Sequence, residues 1–142
     1  MASRTVLIRR AAALVAVVIV VAAGLAVHLW APETPASDIA GDALYVAAVA
    51  SALVVVAPRL STRFVGAVVL CWCIGVELFQ LTGLPSRWGS EFPPALLVFG
   101  TVFDPRDLVI YAVAVLVVMV ADAGARRAVD LRLSSRAAGA QS

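Results

Sequence analysis

Four apolar stretches divide the chain, and each is long enough to cross a bilayer. The first, at about 11–30, reads "AAALVAVVIVVAAGLAVHLW" and carries no formal charge. The others cover about 40–57, 64–82 and 107–125. Val and Ala dominate them and would suit strands, but uninterrupted runs of this length are too long for strands of a soluble sheet. A segment alone in hydrocarbon must satisfy its own backbone hydrogen bonds, so each is predicted to be a helix. The expected fold class is therefore all-α, an integral membrane bundle of four transmembrane helices. A shorter apolar piece at about 95–103, "ALLVFGTVF", cannot cross and is expected to lie at the interface or to re-enter.

The connectors differ in character. "APETPASDIAG" (31–41) carries prolines and acids, and "PRLSTR" (58–63) is a tight basic turn in which Pro58 closes the second helix. "GLPSRWGSEFPP" (83–94) is rich in Gly and Pro and is expected to be irregular. Beyond Arg126, "RRAVDLRLSSR" is expected to form a short helix on the membrane surface. Residues 1–125 thus make one transmembrane domain, followed by a basic tail over 126–142. The first segment starts like a signal peptide, but its apolar run exceeds the roughly 7–15 residues of a signal core. A retained anchor is expected.

Composition turns lipid from an option into a requirement. Of 142 residues 63% are hydrophobic, and the mean hydropathy is +1.01, whereas a soluble domain is about half apolar. All eleven basic residues are Arg, which with the Ala and Val excess fits a GC-rich bacterial genome. Their placement gives an orientation. Nine arginines flank the N-terminus, the second connector and the tail, against two in the outer connectors (Arg87 and Arg106). By the positive-inside rule both termini are expected to be cytoplasmic, in a bacterial cytoplasmic membrane. Trp30 and Trp88 then sit at the outer interface. The cytoplasmic arginines are expected to meet anionic lipid, and their dispersal argues against nucleic acid.

Cys71 and Cys73, the only cysteines, point about 200° apart on a helix and cannot bridge. Two thiols and the distant His28 do not make a metal set. Neither a metal nor a cofactor is expected.

The intramembrane polar residues fall at one end. Asp42 and Tyr45 open the second helix, Glu77 and Gln80 end the third, and Asp107 and Tyr111 open the fourth. Arg87 and Arg106 lie in the outer connector, and His28 ends the first helix there. At the other end only Asp122 stands out, with Arg126 four residues on as a local partner. Gly66, Leu70, Cys73, Glu77 and Gln80 recur at steps of four and three, a stripe of small and polar groups of the kind that joins membrane helices. Between Asp107 and Asp122 the helix covers only about 21 Å of a core about 30 Å thick, so one of these acids must sit below the headgroups, and Asp107 is the better candidate. An ionised carboxylate near mid-membrane costs roughly 2.5–3.5 kcal/mol. Glu77 is expected to escape by pairing with Arg87 or Arg106, or by staying protonated.

"GDALY" (41–45), "C…VELFQL" (71–81) and "LLVFGTVFDPRDLVIYAV" (96–113) resemble a bacterial family of small membrane proteins, the domain of unknown function 2809, over about residues 41–115. The resemblance carries over Gly41, Asp42, Tyr45, Glu77, Gln80, Asp107 and Tyr111. A fainter likeness runs to VanZ-like proteins, which place an acid before one helix, Glu-x-x-Gln in the next and an Asp opening the last; VanZ is associated with teicoplanin resistance. The larger family has no assigned reaction, so its resemblance implies a fold more than an activity.

The polar cluster is read first as an interhelical network that ties the helices together. The alternative is an outward pocket for an envelope lipid or a lipid-linked cell-wall precursor, affecting glycopeptide sensitivity, with Arg87 and Arg106 facing phosphate. Catalysis with Glu77 as a general base lacks a nucleophile or phosphate-cradling loop beside it, so no enzyme is expected. A homo-oligomer stays open.

Overall fold

The computed structural model describes residues 2–100 and 102–139, without the side chains of residues 2, 3, 133 and 136–139. Thr101 in the 95–103 segment, the Arg136 side chain and residues 140–142 of the tail fall outside what is described. Six helices follow one another: α1 (Ala2–Trp30), α2 (Pro35–Val56), α3 (Thr62–Gln80), α4 (Leu84–Glu91), α5 (Pro94–Phe99) and α6 (Pro105–Gly139). Helices α1, α2, α3 and α6 are long and apolar enough to cross a membrane, as the apolar pattern predicts.

Each boundary has a local cause. Thr34 caps α2 through a capping box with Ser37, and Pro35 supplies a helical φ at the first position. Ser61 caps α3 by accepting from the Phe64 amide. The turns 31–34 and 57–61 are short, so consecutive spans run up and down. One end of the bundle, here the lower end, holds the start of α1, the α2–α3 turn and the second half of α6. The upper end holds residues 31–34, helices α4 and α5, and the start of α6.

The core is a seam of small and β-branched side chains. Val46, Ala50 and Val54 of α2 meet Val65, Val69 and Cys73 of α3 and Tyr111, Ala114 and Val115 of α6, with Ala13 of α1 beside them. The steps of three and four put each set on one helix face. Gly66 is buried where a Cβ would run into Met119, so its missing side chain lets α3 and α6 close on each other. The outer faces, such as Leu14, Val18 and Ile19 on α1, are exposed and apolar and therefore face lipid.

Two expectations change. The stretch at 83–94 is not irregular throughout: it contains α4. Gly83, at φ 68°, turns the chain out of α3, and Pro85 falls in the first turn of α4, where its fixed φ and missing N–H are harmless. Only the second proline group, Pro93 and Pro94, breaks the helix and starts α5. The basic tail is helical as expected, but it is not a separate element: α6 continues through it for 35 residues. That is about 52 Å, longer than a whole bilayer with its headgroups.

Candidate functional site

The buried stripe of α3 ends on Glu77, whose side chain is fully buried. Four of the five residues predicted to share that stripe (Gly66, Cys73, Glu77 and Gln80) are buried, and Leu70 is partly so. Glu77 sits one turn inside the end of α3, where α2 and α6 both pass. Tyr111, itself 4% exposed, donates its hydroxyl to Glu77 Oε1 at 3.0 Å. The backbone N–H of Asp104 points at Oε2 from 3.4 Å. A carboxylate that receives a phenol and a main-chain amide no longer faces hydrocarbon with open lone pairs.

Asp42 of α2 and Asp107 of α6 complete the acidic group. Both are half-buried, and their charges are close enough to each other and to Glu77 to be felt. Gly41, beside Asp42, has open space where a Cβ would stand. The structure thus brings Asp42, Glu77, Asp107 and Tyr111 to one point at the upper end of three helices.

Gln80, one turn on, donates its amide to the Phe99 carbonyl at 2.8 Å, while its buried Oε1 has no hydrogen-bond partner among the described residues. Gly100 turns beneath it at φ 63°, and a Cβ there would lie 2.5 Å from the Gln80 amide nitrogen. The short helix α5 is therefore fixed to the end of α3 by a glycine turn and a side-chain amide. Phe79, Trp88 and Phe99 pack tilted and edge-to-face over this junction with ring centroids 5.3–6.1 Å apart.

The arginines do not behave as the sequence suggests. Arg106 turns away from Glu77 and pairs with Asp104, its Nε 2.9 Å from Oδ2; its side chain is 76% exposed. Only a longer-range attraction connects it to Asp107. Arg87 is exposed on α4 and makes no ion pair among the described residues. The physical reason is distance along the chain: Asp104 precedes Arg106 by two residues and intercepts it. Helix α4 points Arg87 outward, while Pro85 and Gly89 form its buried face. Tyr45 also leaves the acids. Its hydroxyl accepts from Trp72 Nε1 at 2.8 Å and donates to the Val98 carbonyl at 2.8 Å, linking α2, α3 and α5 in a separate relay. His28 is exposed at the end of α1.

Asp104 and Trp72 belong to the upper end but escape the helix-face pattern. Asp104 was visible as a cap signal, an Asp immediately before Pro105. Its Oδ1 accepts from the Arg106 amide at 2.9 Å, which caps α6. The Arg106 guanidinium beside it holds the Asp104 carboxyl below the usual carboxylate range. A Trp within a membrane helix needs a partner for its N–H, which was the signal for Trp72.

A second polar group lies at the lower end. Asp122 is not paired with Arg126, as spacing suggests, but with Arg9, 113 positions away, at 2.8 Å and 3.1 Å. The same guanidinium donates to the carbonyls of Pro58 and Leu60 at 2.7 Å and 2.6 Å, and the Thr62 hydroxyl donates to Asp122. Arg126 turns instead to the Leu60 carbonyl at 3.3 Å. Because α1 brings Arg9 alongside α6, the long-range partner displaces the local one.

A family model described as protein of unknown function (DUF2809) matches residues 32–115, more than half of the chain. The chain belongs to that family. No curated protein and no solved structure matches it. The segment shared with the DUF2809 family begins after α1 and ends at Val115 within α6. It contains the whole upper-end group and excludes both Arg9 and Asp122.

Proposed function

We propose that this DUF2809 protein is a multi-pass protein of the bacterial cytoplasmic membrane, with both termini cytoplasmic, whose outward polar cluster ties its helices together rather than carrying out a reaction. Burial of Glu77 between the Tyr111 hydroxyl and the Asp104 amide carries this reading. Both carboxyl oxygens of Glu77 are engaged by groups from outside α3. Interhelical hydrogen bonds in membranes contribute on the order of 0.6 to 2 kcal/mol each, enough to hold α2, α3 and α6 in register together.

Glu77→Gln, which keeps an acceptor for Tyr111, is expected to preserve folded yield in detergent, and Glu77→Leu to lower it. Equal yields for both variants would contradict a structural role. The orientation rests on the arginine asymmetry. A reporter at the C-terminus that is active only outside the cytoplasm would overturn it.

Oε1 of Gln80, buried without a hydrogen-bond partner among the described residues, favours a second reading, a VanZ-like envelope protein. There the upper end would accept a hydroxyl or amine of an envelope lipid or lipid-linked cell-wall precursor. Identical glycopeptide sensitivity with and without the protein would exclude it.

A further inference from the structure

The four spans do not close fully at the lower end. Between α1 and α2 on one side and α3 and α6 on the other runs a cavity of about 340 Å³. Small residues build much of its wall, among them Ala12, Ala16, Ala47, Ala50 and Gly66. Along α6 the lining runs from Val115 to Val129, about 21 Å of helix. Along α1 it runs from Thr5 to Val20, about 22 Å. One bilayer leaflet with its headgroups is about 20–22 Å deep, so the slot is as long as one lipid.

Its mouth is polar and basic. Thr62 and Arg126 line the slot and also a wider groove that continues from it past Arg127, Asp130 and Ser134. An apolar shaft therefore opens directly into a polar mouth. Arg9 at the rim is committed to Asp122 and two carbonyls. Arg126 holds one carbonyl at 3.3 Å and Arg127 is exposed, two guanidinia against the single acid Asp130 in that groove. A volume of about 340 Å³ spread over about 21 Å of helix is too narrow for a further helix some 10 Å across, which leaves a single flexible chain as the occupant.

We propose that this slot seats one acyl chain of an anionic phospholipid, with the phosphate held at the mouth by Arg126 and Arg127. Charge and shape then agree: mostly apolar side chains line the shaft, and the paired guanidinia offer planar donors to phosphate oxygens. The site is independent of the acidic cluster and of which leaflet the lower end faces.

Native mass spectrometry of the full chain in mild detergent tests it, with phosphatidylglycerol and phosphatidylcholine of identical chains added in turn. One phosphatidylglycerol per chain is expected, retained at least about fivefold over phosphatidylcholine, the preference that even one interfacial guanidinium supplies. The double substitution Arg126→Gln, Arg127→Gln removes one long hydrogen bond to the Leu60 carbonyl and is expected to abolish that preference. Ala16→Phe is expected to reduce retention of both lipids by filling the shaft. Equal retention of the two lipids by the native protein would overturn the proposal. So would an undiminished preference after the double arginine substitution, which decides the matter even if Ala16→Phe fails to fold. A protein dimer in place of the lipid adduct would also overturn it.

Discussion

Arg9 and Asp122, separated by 113 positions, form a two-pronged ion pair that joins the first helix to the last. Their side chains are only 8% and 19% exposed. The pair lies outside the segment that the DUF2809 family model matches, while the Pro58 and Leu60 carbonyls that Arg9 also reaches lie inside it.

Breaking that pair from one side is expected to be severe. Arg9→Leu strands Asp122 and frees the carbonyls of Pro58 and Leu60, at about 3–5 kcal/mol. Arg126→Leu removes one long hydrogen bond and is expected to lose less than about 1 kcal/mol. Thermal unfolding in detergent distinguishes the two. Adding Asp122→Asn to Arg9→Leu is expected to recover part of the loss by discharging the stranded acid.

The approach of α3 to α6 depends on Gly66 having no side chain. Gly66→Ala drives a methyl into Met119 and is expected to destabilise by about 1–3 kcal/mol, the usual effect of overpacking. Met119→Ala in the same chain clears the space, so the double variant is expected to be more stable than additivity from the two singles allows.

Gly100→Ala meets two obstacles, a backbone at φ 63° and the Gln80 amide. A loss of about 1–3 kcal/mol is expected from the backbone alone. The effect is expected to concentrate in α5, as faster amide exchange over Pro94–Phe99 than in α2 or α3.

Tyr45→Phe cuts the relay from Trp72 to Val98. The expected loss is about 1 kcal/mol, accompanied by easier proteolysis within 81–104, since α5 loses its tie to α2.

The spans were legible because hydrocarbon imposes one rule on every backbone group, and a run such as 11–30 obeys it without ambiguity. The convergence of Asp42, Glu77, Asp107 and Tyr111 followed from helix periodicity and the up-and-down order of the spans. What periodicity does not carry is the partner of a long, flexible side chain. Arg106 was in range of Glu77 but found Asp104 two residues away, and Asp122 was in range of Arg126 but found Arg9 from another helix. Tyr45 shares a helix face with Asp42, yet its hydroxyl reaches past the acids to α5, whose position no pattern in the sequence specifies. Helix α4 was hidden because Pro85 reads as a breaker unless its place in the first turn is known.

Tyr111 holds Glu77 across the α3–α6 interface. A double-mutant cycle of Glu77→Leu and Tyr111→Phe, read by unfolding in bilayer-like micelles, measures that contact directly. A coupling of about 0.6–1.7 kcal/mol is predicted, the range found for interhelical hydrogen bonds in membranes. Strict additivity, within about 0.3 kcal/mol, would contradict it.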